Sequence, residues 1–313
     1  MKGTLAKGLK TGLMTTWTLG KVIFPITLIV TILQFTPVLP WVIALISPIM
    51  GIFGLSGDAA IPLVIGNVLN LYAAIGAILS LELTVKEVFI LAMMLSFSHN
   101  LFVESIVATK VGVKMWVILA VRLGLAITAG IVINLVWQGG GEIAQYGMVP
   151  EAAAEPTTWA GIGLLGLQKA TFGVLQLAMI VIPLMVMIQF AKDLKWLDAF
   201  SRAVAPATRF LGMKENTSMT LASGLLIGLA MGSAVMIQAV EEDGVSRRDV
   251  TLAFIFLVAC HAVIEDTLIF IPLGIPVWPL FLIRIVTAVV LTMAVARLWG
   301  RPQQASRKEA VHL

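Results

Sequence analysis

Residues 95–105 read Leu-Ser-Phe-Ser-His-Asn-Leu-Phe-Val-Glu-Ser, and residues 257–266 read Leu-Val-Ala-Cys-His-Ala-Val-Ile-Glu-Asp. Each stretch sets a histidine, and five residues later a carboxylate, inside an apolar run. The likeness extends in both directions. A shift of 158 residues lays Pro25 on Pro183, Pro48 on Pro206, Gly54 on Gly212 and Gly66 on Gly224. Beyond four extra residues, Glu241–Gly244, a shift of 162 lays His99 on His261, Gly112 on Gly274, Trp116 on Trp278, Arg122 on Arg284 and Trp137 on Trp299. Leu and Val match easily by chance, whereas Pro, Gly, Trp, His and Arg under one small gap do not. The chain is a duplicated unit, and ionisable residues repeated within apolar segments mark a transporter core.

Composition sets the solvent. The chain is 59% hydrophobic and 12% charged, with a mean hydropathy of +1.00. Its apolar runs are long enough for a hydrocarbon layer of about 30 Å, which takes roughly 20 helical residues. The net charge of +4 sits in loops and tails, so it reads as membrane topology and not as a nucleic-acid footprint. A single cysteine, Cys260, excludes an internal disulfide and a cysteine metal cluster. Met1–Lys10 is basic but runs into an apolar segment without a small-residue cleavage site, which predicts a retained first helix. The expectation is an all-α polytopic membrane protein.

Each copy divides into five pieces. The first has helices near Gly12–Phe35, Val88–Thr109 and Lys114–Trp137, a segment Pro37–Phe53 and a stretch Gly54–Ser80. The second has Trp159–Phe190, Leu194–Leu211, Gly212–Val240, Val250–Ile271 and Val277–Trp299. Residues 1–137 and 159–299 are thus the two repeats, 138–158 a polar external linker and 300–313 a cytoplasmic basic tail. Leu194–Leu211 mixes Lys195, Asp198, Arg202 and Arg209 with Trp196, Leu197, Phe200 and Phe210, which predicts an amphipathic helix lying in the interface. Gly54–Ser80 and Gly212–Val240 open polar and carry small residues near mid-length (Gly66-Asn67; Gly224, Gly228, Gly232), which predicts re-entrant hairpins. Three spans and one hairpin per copy put Lys110, Lys114, Lys192, Lys195, Arg202, Arg209 and both termini in the cytoplasm, and the acidic linker outside. An odd number of spans makes the copies inverted.

Charged groups inside a bilayer cost several kcal/mol unless paired or hydrated. His99, Asn100 and Glu104, with His261, Glu265 and Asp266, are therefore the candidate site, and Arg122 and Arg284 are the expected partners of Glu104 and Asp266. Five residues on a regular helix turn about 140°, so His and acid share a face only if the helix unwinds near His99-Asn100 and His261-Ala262. Three readings stay open: a structural charge network, a site for a polar solute, or a metal site of His99, His261, Glu104 and Asp266. Lys169 is expected to snorkel to a boundary; Met93, Met94, Met179, Met185 and Met187 read as core filler. Gly139-Gly140-Gly141 reads as a flexible linker, since no GK[ST] follows. Absence of HExxH, CxxC and GxSxG patterns speaks against a hydrolase or redox enzyme.

A glycine-rich hairpin after an interfacial helix, then a helix broken at a polar cluster, resembles the Gate or nucleoside-recognition family. That family includes spore maturation proteins A and B, and its domain recurs in the ferrous iron transporter B membrane region and in concentrative nucleoside transporters. The likeness covers two units, about 12–137 and 159–299. The nucleoside transporters bind solute between hairpin tips and unwound helices, so the resemblance implicates Asp58, Asn67, Asn100 and Glu104 from one half. Asn216, Thr217, Glu265 and Asp266 are implicated from the other. The histidine pair falls outside that pattern.

The resulting expectation is an inverted-repeat plasma-membrane protein that binds a small polar solute at mid-bilayer by alternating access. Its partners would be the lipid bilayer, the solute and, as an option, further copies of itself, with no nucleic acid. No cofactor is expected beyond a coupling ion, Na+ or H+. The alternatives are divalent metal transport, or a non-transporting membrane scaffold acting with a partner.

Overall fold

The computed structural model describes residues 2–37, 41, 47–147, 156, 158–230 and 232–299. Residues 38–40 and 42–46 of the segment Pro37–Phe53, the middle of the linker and the tail from residue 300 lie outside them. Among the described residues the chain is all-helical, with one isolated bridge between Thr84 and Ile143 and no strand. The first repeat contains α1 (Lys2–Gln34), α2 (Ala60–Val68), α3 (Leu71–Ile78), α4 (Val85–Ser98), α5 (Leu101–Lys110) and α6 (Met115–Val136). The second contains α7 (Trp159–Asp193), α8 (Trp196–Phe210), α9 (Ser218–Ile227), α10 (Ser233–Glu242), α11 (Arg247–Ala259), the single turn α12 (Glu265–Leu268) and α13 (Val277–Leu298). Five segments are long and apolar enough to cross a membrane: Gly3–Leu33, Val85–Lys110, Met115–Val136, Trp159–Phe190 and Val277–Leu298. The protein is a polytopic membrane protein.

The duplication recurs in the hydrogen bonds. Thr84 caps α4 in a reciprocal box with Glu87, and Ser246 caps α11 by accepting from the Asp249 amide. Each cap acid then holds the loop before its own hairpin: the Ser56 amide donates to Glu87 at 2.8 Å, the equivalent Lys214 amide to Asp249 at 3.4 Å. Lys86 donates to the Asn134 carbonyl at 3.0 Å, and Arg248 donates to the equivalent Ala296 carbonyl at 3.1 Å. Positions that align in the sequence therefore carry the same interactions.

Close approach at glycines sets the helix packing. A Cβ at Gly8, Gly12 or Gly20 of α1 would meet Val186, Ile182 or Val174 of α7. One number falls as the other rises, so these equivalent helices run antiparallel. Each long helix carries an internal proline, Pro25 and Pro183.

Several expectations need correction. The first hairpin reverses at Leu69-Asn70, where Asn70 caps α3, and not at Gly66-Asn67; the second breaks at the expected Gly228 and Gly232, before α10. Gly66 and Gly224 do different work. A Cβ on either would stand 2.4 Å from Leu95 or Leu257, the same position of α4 and α11. Lys169 does not snorkel: its Nζ donates to the Ser80 carbonyl at 3.1 Å, at the end of the first hairpin. Met93, Met94 and Met185 are core, but Met179 and Met187 are exposed. The triglycine is pinned, since the Gly140 carbonyl accepts from Lys86 N and Glu142 from Val85 N.

Gly12→Ala, whose Cβ would sit 2.9 Å from the Ile182 Cα, is expected to destabilise the protein by about 1–3 kcal/mol. Gly124→Ala, with nothing within 4 Å, is expected to leave it neutral or raise stability by up to ~1 kcal/mol. Thermal unfolding of both variants in one detergent checks the difference.

Candidate functional site: a charged centre between two broken helices

Both polar clusters sit where a helix stops and restarts. Between α4 and α5 the chain passes through Asn100 at φ 49, and after α11 through Ala262 at φ 40. A left-handed conformation costs a non-glycine residue roughly 1–2 kcal/mol, and a cross-hairpin bond holds it in both places. The Asn100 amide donates to the Gly66 carbonyl at 2.7 Å, and the Ala262 amide to the Gly224 carbonyl at 3.0 Å. Only a residue without a side chain lets the hairpin backbone come that close.

Each break frees carbonyls at the negative end of one helix and amides at the positive end of the next. The arginines take the carbonyls. Arg122 donates through Nε to Phe97 O at 2.8 Å and through Nη2 to His99 O. Arg284 donates to His261 O at 2.7 Å. The same Nη2 atoms bind the expected acids, Arg122 to Glu104 at 2.9 Å and Arg284 to Asp266 at 3.1 Å. Both guanidiniums are fully buried. The acids occupy the first turns of α5 and α12, where the helix dipole favours negative charge.

The two clusters form one centre. The His99 and His261 rings lie 5.2 Å apart. His261 Nε2 reaches Glu104 at 3.2 Å in the other repeat and Asp266 at 3.5 Å in its own; His99 Nε2 stands 3.5 Å from Glu104. Each Nδ1 faces the carbonyl four residues back, Leu95 at 2.7 Å and Leu257 at 2.8 Å. A carbonyl only accepts, so each Nδ1 carries the hydrogen. Each Nε2 is then either a bare lone pair aimed at carboxylate oxygens or an imidazolium N–H. Acceptor facing acceptor is unfavourable, so this arrangement favours a positive species among the Nε2 atoms and the acids, either a proton or a cation.

Glu265 breaks the symmetry. Its equivalent is Val103, and its carboxylate accepts from the Tyr72 hydroxyl of the first hairpin. Tyr72 was not among the sequence candidates because its equivalent is Ala230 and the repeat hides it. The available signal was its rarity: it is one of two tyrosines, set in an apolar hairpin.

His99, Asn100, Glu104, His261, Glu265, Asp266, Arg122 and Arg284 are thus gathered at the breaks. Asn67 follows Gly66 and donates to Leu63 O at 2.7 Å, with its Oδ1 buried and unpartnered. Asp58, Asn216 and Thr217 are set apart. Asp58 lies beside the Ser56–Glu87 contact, and Glu87 precedes His99 by twelve residues, about 18 Å of helix. Asn216 donates to Asp243 O at 2.9 Å in the loop after the second hairpin, and buried Thr217 adjoins it.

Buried charge where two broken helices meet beside hairpins defines a membrane protein of transporter-like build. The chain belongs to the Gate family, described as nucleoside recognition, which matches residues 16–115 and 174–275. It is 64% identical over 312 residues to the uncharacterized membrane protein YvoD of Bacillus subtilis (strain 168), spanning 99% of this chain and 100% of the relative. No solved structure matches.

Arg284→Met is expected to cost about 3–5 kcal/mol, because it leaves a buried acid uncompensated. Adding Asp266→Leu should recover about half of the loss or more. Unfolding of the two single variants and the double variant measures the coupling.

Proposed function

We propose that the protein moves a small polar solute, nucleoside-like in its hydrogen bonding, through a mid-bilayer centre shared by two inverted repeats. The observation that carries this reading is the His261–Glu104 contact at 3.2 Å: neither repeat closes the charged centre alone. A rocking of one repeat against the other would break that contact and open the centre to alternate sides. Inversion is supported by the antiparallel course of α1 and α7. It is also supported by Gly274, which rests on the Gln145 backbone beside the linker residues paired with Leu83–Lys86. The equivalent Gly112 lies beyond the far end of α5.

In this reading His99, Asn100, Glu104, His261, Glu265, Asp266 and Asn67 face the solute, while Arg122 and Arg284 hold the acids. Unpartnered Arg122 Nη1 and Arg284 Nη1 supply further donors. H+ suits the coupling role better than Na+, because the fixed imidazole tautomers already present Nε2 to the acids. The three-span, one-hairpin repeat would sit in the plasma membrane with both termini cytoplasmic, as a single copy or an oligomer. The expected result with the purified protein is a rise in melting temperature with a nucleoside or nucleobase. Glu104→Gln should abolish the rise, and Asp198→Asn, on the outer face of α8, should preserve it. No shift from any member of a nucleoside, nucleobase and organic-anion panel would contradict the reading.

One observation favours divalent metal as a second reading. One ligand atom each from His99, His261 and Asp266 can lie within 4.8 Å of one another, and Glu104 adds an oxygen. Nitrogen and oxygen donors fit Zn2+ at about 2.0–2.2 Å. The donor set fits, and a metal there would replace the proton between imidazole and acid. A Zn2+ or Mn2+ stabilisation lost in both His99→Ala and His261→Ala would select this reading over the solute.

A further inference from the structure

A cavity of about 400 Å³ lies beside the charged centre, between the carboxyl-terminal half of α7, the amphipathic helix α8 and the end of α9. That volume is within the range of small-molecule sites. Its walls are apolar and aromatic, including Leu184, Trp196, Phe200, Ala203 and Ile264, and among the described residues its single polar lining residue is Glu265. Exposure falls along it from Trp196 at 53% and Ile264 at 38% to Glu265 at 9% and Leu184 at 5%. The cavity thus joins exposed apolar residues to one buried carboxylate. One wall is α8, an amphipathic helix of the kind that lies in a membrane interface.

Glu265 is also the acid without a cation of its own. Arg122 is committed to Glu104 and Arg284 to Asp266, each with a helix carbonyl as well. Among the described residues the hydrogen-bond partner of Glu265 is the neutral Tyr72 hydroxyl alone. The centre holds three carboxylates against two guanidiniums among the described residues, and the imidazole Nε2 atoms face Glu104 and Asp266, not Glu265. An apolar chamber with aromatic rings and an uncompensated acid matches an organic cation, whose charge is attracted by ring faces and carboxylate together. A neutral acyl chain would fill the walls and leave the acid unused; an anion would meet like charge.

We propose that this cavity binds a lipophilic organic cation, its apolar body between α7 and α8 and its positive charge against Glu265. Glu265 borders both this chamber and the histidine centre, and the proposal rests on the chamber and not on which solute occupies that centre. The probe is tetraphenylphosphonium, with tetraphenylborate as the anion of like shape, measured by equilibrium binding to the full chain in nanodiscs. Saturable phosphonium binding without saturable borate binding is expected. Glu265→Gln, nearly isosteric, should weaken phosphonium binding at least tenfold. Ala203→Trp, which fills the chamber and leaves every charged residue in place, should abolish it. Because Glu265 borders both sites, Ala203→Trp is expected to lose phosphonium binding while retaining the response to the polar solute. No saturable phosphonium binding, equal binding of the borate, or an unchanged affinity in Glu265→Gln would overturn the proposal, the last two marking an unspecific lipid groove.

Discussion

The rest of the structure depends on one constraint: three carboxylates and two guanidiniums are buried together. Arg122 and Arg284 are fully buried, and Glu104, Asp266 and Glu265 nearly so. Such groups are tolerated only where every charge meets an opposite charge or a dipole. The breaks at Asn100 and Ala262 supply those dipoles by ending one helix and starting another at the acid. The hairpins supply the carbonyls of Gly66 and Gly224 that hold the breaks open. The glycines, the left-handed residues, the arginines and the acids are one device, present twice.

The device is symmetric in its framework and asymmetric in its contents. Equivalent residues repeat the same capping, loop-holding and carbonyl-binding contacts at the outer end of α4 and α11 and at the two breaks. At the centre, Asn100 faces Ala262 across the repeat, and Glu265 with Tyr72 replaces Val103 with Ala230. A framework with two equivalent halves can exchange their conformations. An uneven set of polar groups gives a ligand one preferred orientation. That combination favours transport over a purely structural charge network, which would gain nothing from an extra acid bound to a phenol.

Much of this was legible in the residues. The duplication showed because Pro, Gly, Trp, His and Arg resist chance matching, and the helix breaks followed from the 140° between histidine and acid on an unbroken helix. The pairing of Arg122 with Glu104 and of Arg284 with Asp266 followed from a common spacing. The first hairpin turn was misplaced at Gly66-Asn67 because glycine serves both reversal and close packing, and composition does not tell these apart; the second falls at the expected Gly228 and Gly232. Lys169 looked like a boundary residue because the carbonyl it caps, Ser80, is distant in sequence. Asp58 and Asn216 entered through family likeness and lie at the outer end of the hairpins. Tyr72 meets Glu265 across the two repeats, and the cavity at Glu265 is closed by segments of the second repeat that lie far apart in sequence; no periodicity encodes either.

The central claim is that two equivalent units, turned upside down relative to each other, meet at one buried charged centre. Lys114 and Pro276 are equivalent positions, each the cap of the last helix in its repeat, and both are exposed. Single cysteines at these positions, in a Cys260→Ala background, can be labelled with a membrane-impermeant maleimide on intact cells and on inverted vesicles. The account predicts that Lys114→Cys reacts only from the cytoplasmic side and Pro276→Cys only from the outside. Reaction of both from the same side would contradict it.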